Sequence, residues 1–170
     1  MRVVELWRYP VKSLQGERVD ASELGPEGLA GDRRLAIFDV ATGFGLTGRR
    51  EPQLLFAAAR TVGDRVEIVL PDGSVARDDA DLSEWLGRPV ELRSAEDRSL
   101  SRRFESPDDP EDEASGQWRA FTGAQGSFRD DEDAPVSIVS TERSATGRRA
   151  GSGRTSSSTA RARTTSSGRR

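Results

Sequence analysis

The sequence contains no cysteine and no histidine among its 170 residues. Without cysteine the chain can form no disulfide, zinc-thiolate site or thiolate nucleophile, and without histidine it can build neither a Ser-His-Asp triad nor a histidine metal site. Carboxylates, hydroxyls, arginines and one amine remain for chemistry. No apolar run is long enough to cross a bilayer, and no basic-then-apolar signal segment opens the chain, so we expect a cytoplasmic protein.

Lysine is almost absent as well, because Lys12 is the single lysine and every other basic side chain is an arginine. A GC-rich coding sequence would produce such a drift from lysine to arginine. A retained ammonium then indicates a position where the flat, forked guanidinium fits badly. Lys12 is therefore the first candidate functional residue, the alternative being that one lysine survived by chance at the end of an edge strand.

Apolar side chains are missing from the end of the chain. Residues 143–170 consist of eight Arg, seven Ser, five Thr, four Gly and four Ala. Such a segment buries too little apolar surface to offset the entropy of ordering it, so it predicts disorder. It carries +8, which leaves −3 − 8 = −11 on residues 1–142. The small overall charge thus combines an acidic part with a basic tail.

The remainder of the chain has short β-favouring runs separated by closely spaced turn signals. A single segment, residues 79–87, combines acidic starters, apolar residues at helical spacing and a terminal glycine, which predicts a short helix. The fold class we expect is mostly β: a small β-barrel or rolled mixed sheet with one short helix, followed by acidic loops and the disordered tail. The predicted strands are residues 2–8, 17–24, 34–39, 54–62, 65–70, 74–76 and 89–93.

These patterns predict four regions. Residues 1–100 are a barrel-like domain, residues 101–133 an acidic loop-rich connector, residues 134–142 the first strand of an incomplete second domain, and residues 143–170 the tail. The connector contains two acidic runs that read as solvated loops. Neither run has the spaced oxygen ligands and glycine turn of a calcium loop, so we assign no metal ligands.

Four motifs occur in order along the chain. They are Tyr-Pro-Val-Lys-Ser at residues 9–13, Gly-Asp-Arg at 31–33, Thr-Gly-Arg-Arg-Glu-Pro at 47–52 and Ala-Pro-Val-Ser-Ile-Val-Ser at 134–140. In order and spacing they resemble the MOSC family, specifically its N-terminal β-barrel domain followed by the beginning of the MOSC domain proper. The resemblance covers about residues 2–141, and the first two motifs together are its specific part.

The resemblance implies binding of the molybdenum cofactor. By motif, Lys12, Ser13 and Arg33 would contact the pterin and its phosphate, with Arg49 as a weaker candidate. An ammonium, a hydroxyl and a guanidinium suit an anionic phosphate and dithiolene. Asp32 would orient Arg33 or Arg49. For Asp32, Arg33 and Arg49 the alternative is a structural ion pair at the barrel rim.

The chain departs from the family after residue 141, where relatives continue with an Arg-Phe-Arg-Pro-Asn-type segment and later a cysteine. We therefore predict no catalytic residue. We interpret the chain as an inactive N-terminal fragment of an oxidoreductase or sulfur-transfer protein whose full-length version would use a redox partner. Our hypothesis is that the reading frame shifts near residue 142. Translation of the coding DNA in the other two frames should then recover an Arg-Phe-Arg-Pro-Asn-like stretch and a cysteine.

Two other functions stay open. The chain is alternatively a non-enzymatic β-barrel whose basic tail binds nucleic acid or other polyanions non-specifically, in which case binding weakens steeply with added salt. The tail has no aromatic residues to stack on bases. Pyridoxal phosphate chemistry, found in enzymes fused to MOSC domains, needs a Schiff-base lysine inside its own fold, and Lys12 in a barrel turn matches that poorly.

Overall fold

The computed structural model of the chain describes residues 3–97, 101–109, 116–130 and 133–139. The chain divides into two compact units, Met1–Pro135 and Val136–Arg170. The described part of the first unit is mostly β with a single α-helix, as the sequence predicts. Its described strands close no barrel. They form one three-stranded and four two-stranded antiparallel sheets instead.

The strands are short, and most pair with a neighbour in the chain. β1 pairs with β2, β3 with β4, β5 with β9 and β10 with β11, while β6, β7 and β8 form a meander. The strands are β1 (Trp7–Arg8), β2 (Glu17–Arg18), β3 (Leu24–Gly25), β4 (Gly28–Leu29), β5 (Leu35–Asp39), β6 (Ala58–Val62), β7 (Arg65–Val69), β8 (Val75–Ala76), β9 (Val90–Ser94), β10 (Arg103–Pro107) and β11 (Trp118–Thr122). A 3-10 helix covers Pro52–Phe56.

Three predicted strands are shorter than expected. Of the segment predicted at residues 2–8, the described residues 3–8 contribute β1 alone, which pairs with the two residues of β2. The segment at 17–24 divides into β2 and the start of β3, separated by residues 19–23. The run predicted from residue 54 begins in the 3-10 helix, which starts at Pro52, where the proline ring fixes φ at a helical value.

The predicted helix forms at Asp79–Leu86 and is named α1. The carboxylate of Asp78 caps its start by accepting hydrogen bonds from the backbone N–H groups of Ala80 and Asp81. Gly87 ends the helix in the left-handed conformation, with φ of 67°. Leu82 and Leu86 are buried against the core, so local sequence signals and tertiary packing agree here.

The prediction of a loop-rich connector at residues 101–133 is wrong for its strands. β10 and β11 form an antiparallel hairpin in which Phe104 lies opposite Phe121. Phe104 and, further along, Phe128 are fully buried. The dense charges around these aromatic residues obscured the apolar pattern, because each phenylalanine stands alone among polar neighbours.

Two hydrophobic clusters meet at β5. Ile37 of this strand packs in a cluster with Val11, Leu14, Leu54 and residues of β6, β7, β9 and α1. Its neighbours Ala36 and Phe38 point the other way, into an aromatic cluster with Phe104 and Phe128. Alternate residues of a strand face opposite sides, so a strand buried on both sides separates two cores.

Of the strand predicted at residues 134–142, the structure describes residues 134–139, and these form no strand. The predicted disorder and polyanion binding of residues 143–170 lie outside the described residues. In the described ranges, no helix has the length and apolar character needed to cross a membrane.

Candidate anion-binding site

The first two motifs lie side by side because residues 9–12 run parallel to residues 32–35. The backbone N–H of Arg33 donates to Tyr9 O at 2.7 Å, and that of Leu35 donates to Pro10 O at 3.1 Å. The Lys12 N–H donates to Leu35 O at 2.8 Å. This backbone pairing brings Lys12 and Arg33 onto neighbouring segments, although 33 − 12 = 21 positions separate them in the sequence.

A third segment, residues 128–130, closes against the first two. The backbone N–H of Phe128 donates to the carbonyl oxygen of Arg33 at 2.7 Å. Two residues later, a carboxylate oxygen of Asp130 forms an ion pair with the ammonium nitrogen of Lys12. The site therefore combines the two predicted motifs with a segment whose acidic sequence predicts a solvated loop.

Lys12 is a buried cation. Its side chain is 4% exposed, and its ammonium nitrogen lies 5.0 Å from the centre of the Phe104 ring. Burial lowers the pKa of Lys12 below its ordinary value, and the nearby positive charge of Arg33 acts in the same direction, while Asp130 opposes both. A buried ammonium beside a second cation strongly favours an anion at this position.

Asp32 holds Arg33 in place. The carboxylate of Asp32 is buried and accepts hydrogen bonds from the backbone N–H of Tyr9 and from Nη1 of Arg33, each at 2.7 Å. The guanidinium lies over the Tyr9 ring, 5.6 Å from its centre, and 32% of the Arg33 side-chain surface remains exposed. Asp32 thus fixes the guanidinium while leaving part of it accessible to a ligand.

Backbone strain is concentrated at the same residues. Among the described non-glycine residues, Ser13 (φ 67°) and Arg33 (φ 48°) are those with positive φ. This conformation is unfavourable for residues with a Cβ atom and persists where the surrounding structure enforces it. Ser13 is half-buried, and its hydroxyl has no hydrogen-bond partner in the described part of the chain.

Arg49 is the predicted site residue that these contacts do not include. It lies in the turn of residues 48–50 and is exposed. The structure therefore places Lys12 and Arg33 on paired segments, with Ser13 next to Lys12 in the chain, and it adds Asp130, which no motif predicts. The single lysine indicates that an acidic partner exists, because a buried ammonium needs a negative charge beside it. Nothing in the sequence pattern identified which acid this is.

A buried arginine supports the segment that carries Asp130. Arg102 is 6% exposed, and its Nη1 donates to the carbonyl oxygen of Ala124 at 2.7 Å. Its Nη2 donates to the carbonyl oxygen of Ala95, and the guanidinium lies 5.3 Å from the centre of the Phe128 ring. These contacts connect the chain before Phe128 to the residue after β9, and they fix the position of the third segment of the site.

A cavity of about 380 Å³ lies beside this cluster. It is lined mainly by residues 23–32, including Asp32, together with Arg34 and Ser127. A second cavity, of about 570 Å³, lies between β7, β8 and α1 and is lined by residues such as Arg77, Asp81 and Trp85. Neither cavity is lined by the predicted cofactor-binding residues, and the first adjoins the site through Asp32, the partner of Arg33.

Comparison with protein families matches residues 1–120 to the MOSC N-terminal beta barrel domain. Comparison with curated proteins finds none that matches the chain. The family match covers more than half of the 170 residues. It extends through β10 and into β11, beyond the boundary predicted at residue 100, and includes the Lys12 and Arg33 motifs whose pairing forms the site. The chain therefore belongs to the family of MOSC N-terminal beta barrel domains.

Proposed function

We propose that this chain binds the molybdenum cofactor, holding the pterin and its phosphate at Lys12, Ser13 and Arg33. The observation that carries the proposal is the burial of the only lysine next to Arg33, on segments joined by backbone hydrogen bonds. Folding places two cations close together and removes one from water, an arrangement whose cost an anionic ligand would offset. Family membership supports the choice of this anion, since MOSC proteins are associated with that cofactor.

The donor set fits a phosphate. An ammonium has three N–H donors and a guanidinium five, while a serine hydroxyl adds one more. Asp130 engages the ammonium, and Asp32 engages one nitrogen of the guanidinium, which leaves donors on both cations. The Ser13 hydroxyl has no protein partner among the described residues. Charge-assisted hydrogen bonds of this kind are the strong ones in proteins, so three groups suffice to anchor a dianion.

The strained backbone supports a functional role for the same residues. Left-handed backbone at two non-glycine positions costs of order 1–3 kcal/mol each. Both positions belong to the predicted set, and the two residues lie on different motifs. Strain of this kind is typical of binding sites, where it aims a side chain that a relaxed backbone would direct elsewhere.

The proposal is limited to binding. When bound, the molybdenum cofactor supplies redox chemistry through its metal. The chain has no cysteine, which is the soft ligand that molybdenum sites of this family use. We therefore assign Lys12, Ser13 and Arg33 to holding and orienting the cofactor, and we assign no reaction to the residues of this chain.

Replacement of Lys12 by methionine tests the proposal. Lys12→Met keeps most of the length of the side chain and removes its charge, so the buried position stays largely filled. We expect the cofactor occupancy of protein purified from a cofactor-producing host to fall about 10- to 100-fold, the loss expected for a charge-assisted hydrogen bond. Occupancy is measured as molybdenum by metal analysis and as pterin by fluorescence of its oxidised form.

The matched control is Arg60→Met. Arg60 lies on β6, where it forms an exposed ion pair with Glu67 at 2.9 Å, so this variant loses the same charge away from the site. Its occupancy should equal that of the wild type. Unchanged occupancy in Lys12→Met would remove Lys12 from the site. Arg49→Met in the same assay decides whether Arg49 belongs with the other three residues.

A further inference from the structure

We propose that Asp130 is an internal competitor of the ligand: its carboxylate occupies the place of the phosphate on Lys12 and has to leave when the ligand binds. This inference depends on the proposed function, because it assigns Asp130 a part in setting the affinity of the same site. It makes Asp130 an affinity-determining residue that acts against binding, in contrast to Lys12, Ser13 and Arg33.

The chemistry of the contact supports competition. Carboxylate and phosphate oxygens accept the same charge-assisted hydrogen bonds from an ammonium group. The Lys12 side chain is 4% exposed, so few directions remain from which an anion can approach its nitrogen. Asp130 already takes one of them. A phosphate that contacts both Lys12 and Arg33 therefore meets the carboxylate on its way to the ammonium.

The difference in burial shows which partner can move. The Asp130 side chain is 75% exposed, so its carboxylate is stabilised by water whether or not it contacts Lys12. The buried ammonium, in contrast, has little water to replace a lost partner. Exchange of one anion for another leaves the ammonium paired throughout. Leaving costs the Asp130 carboxylate little, because most of its side chain is in water in either position.

The backbone allows this exchange without rearrangement of the fold. Two residues before Asp130, Phe128 is fully buried and its N–H is bonded to Arg33 O. Between them, Nη1 of Arg129 donates to Glu27 O at 2.7 Å and to the Ser127 hydroxyl at 3.3 Å. The chain is therefore fixed just before Asp130, and rotation of one side chain is enough to clear the ammonium.

An opposite role for Asp130 makes an opposite prediction. If the carboxylate positioned Lys12 for the ligand, its removal would weaken binding. If it competes, its removal strengthens binding. Asp130→Asn separates the two roles, because the amide keeps the shape of the side chain and removes the charge that holds it on Lys12.

The experiment measures binding of inorganic phosphate to the full chain by calorimetric titration at fixed salt. We expect Asp130→Asn to lower the Kd about tenfold relative to the wild type. The control is Asp64→Asn in the exposed turn between β6 and β7, which removes the same charge and should leave Kd within about twofold of the wild type. In a Lys12→Met background the gain from Asp130→Asn should disappear.

The outcomes are distinguishable. Lys12-dependent phosphate binding that Asp130→Asn leaves unchanged or weakens overturns the competitor role and leaves the proposed function standing. A gain of equal size in Asp64→Asn also overturns it, because net charge would then explain the effect. Absence of Lys12-dependent binding in every variant overturns the proposed function and, with it, the role of Asp130.

Discussion

At the scale of single residues, the site depends on the buried ammonium group of Lys12, a position that is unfavourable for a charge. Burial, the largest influence on the Lys12 ammonium, lowers its pKa, and Arg33 lowers it further. Asp130 compensates in part. Burial of the Lys12 ammonium therefore opposes folding, which is what we expect of a charge retained for binding.

The lowered pKa of Lys12 predicts a dependence of stability on pH. Between the folded-state pKa and the ordinary value near 10.5, the unfolded chain binds the proton that the folded chain has released. The free energy of unfolding should therefore rise with pH across this window. Urea unfolding at a series of pH values measures it. Lys12→Met should flatten the rise and Arg60→Met should not, whereas equal slopes in all three proteins would contradict the burial argument.

Prediction from the sequence worked best where a single residue carried the signal. Lys12 was recognisable because no other lysine exists, and Arg33 because it belongs to a short motif. Asp130 was not, since its contact with Lys12 spans 118 positions and depends on the path of the chain between them. Its acidic neighbours look alike in sequence, and tertiary structure alone distinguishes the one that pairs.

At the scale of elements, the same contrast holds between α1 and the hairpin of β10 and β11. Helix signals are local: a cap, apolar spacing and a final glycine all lie within ten positions. The hairpin depends on Phe104 meeting Phe121 across a connection rich in acidic residues. Strand pairing over such a distance is a tertiary property, and charge runs masked the weak alternation.

The cap of α1 gives a prediction at this scale. Asp78→Ala removes the acceptor for the N–H groups of Ala80 and Asp81, so the free energy of unfolding should fall by about 1 kcal/mol. Asp78→Asn keeps a capping oxygen and should retain most of the stability. Chemical denaturation of the three proteins measures the difference. Equal losses in both variants would show that charge, and not the capping hydrogen bonds, is the stabilising factor.

At the scale of the described first unit, β5 contributes residues to both hydrophobic clusters. Within the aromatic cluster, Gly45 links β5 to β10, since it bridges to Phe38 on one side and to Phe104 on the other. A Cβ atom at Gly45 would lie 2.0 Å from the Phe104 ring, so only glycine permits this approach. The aromatic cluster therefore requires residues on both sides of the boundary that the sequence predicted at residue 100.

A chain ending at residue 100 should accordingly fail to fold properly. It loses Phe104 and Phe128, each worth roughly 1.5–3 kcal/mol of burial, against a total stability of about 5–15 kcal/mol for a typical domain. It also exposes Phe38. We expect increased binding of a hydrophobic dye and aggregation on size-exclusion chromatography, with residues 1–139 as the control. A monomeric shortened chain with cooperative unfolding would show that the first core is sufficient.

The burial of the only lysine has a practical consequence for following the site. Acylating reagents that modify exposed amines will find the α-amino group and, on side chains, Lys12 alone. The Lys12 side chain is buried and that of Asp130 is exposed. The extent of Lys12 acylation, measured by mass spectrometry, therefore reports how often the ammonium group becomes accessible to solvent. The molecule thus contains its own single-site probe, with no label to introduce.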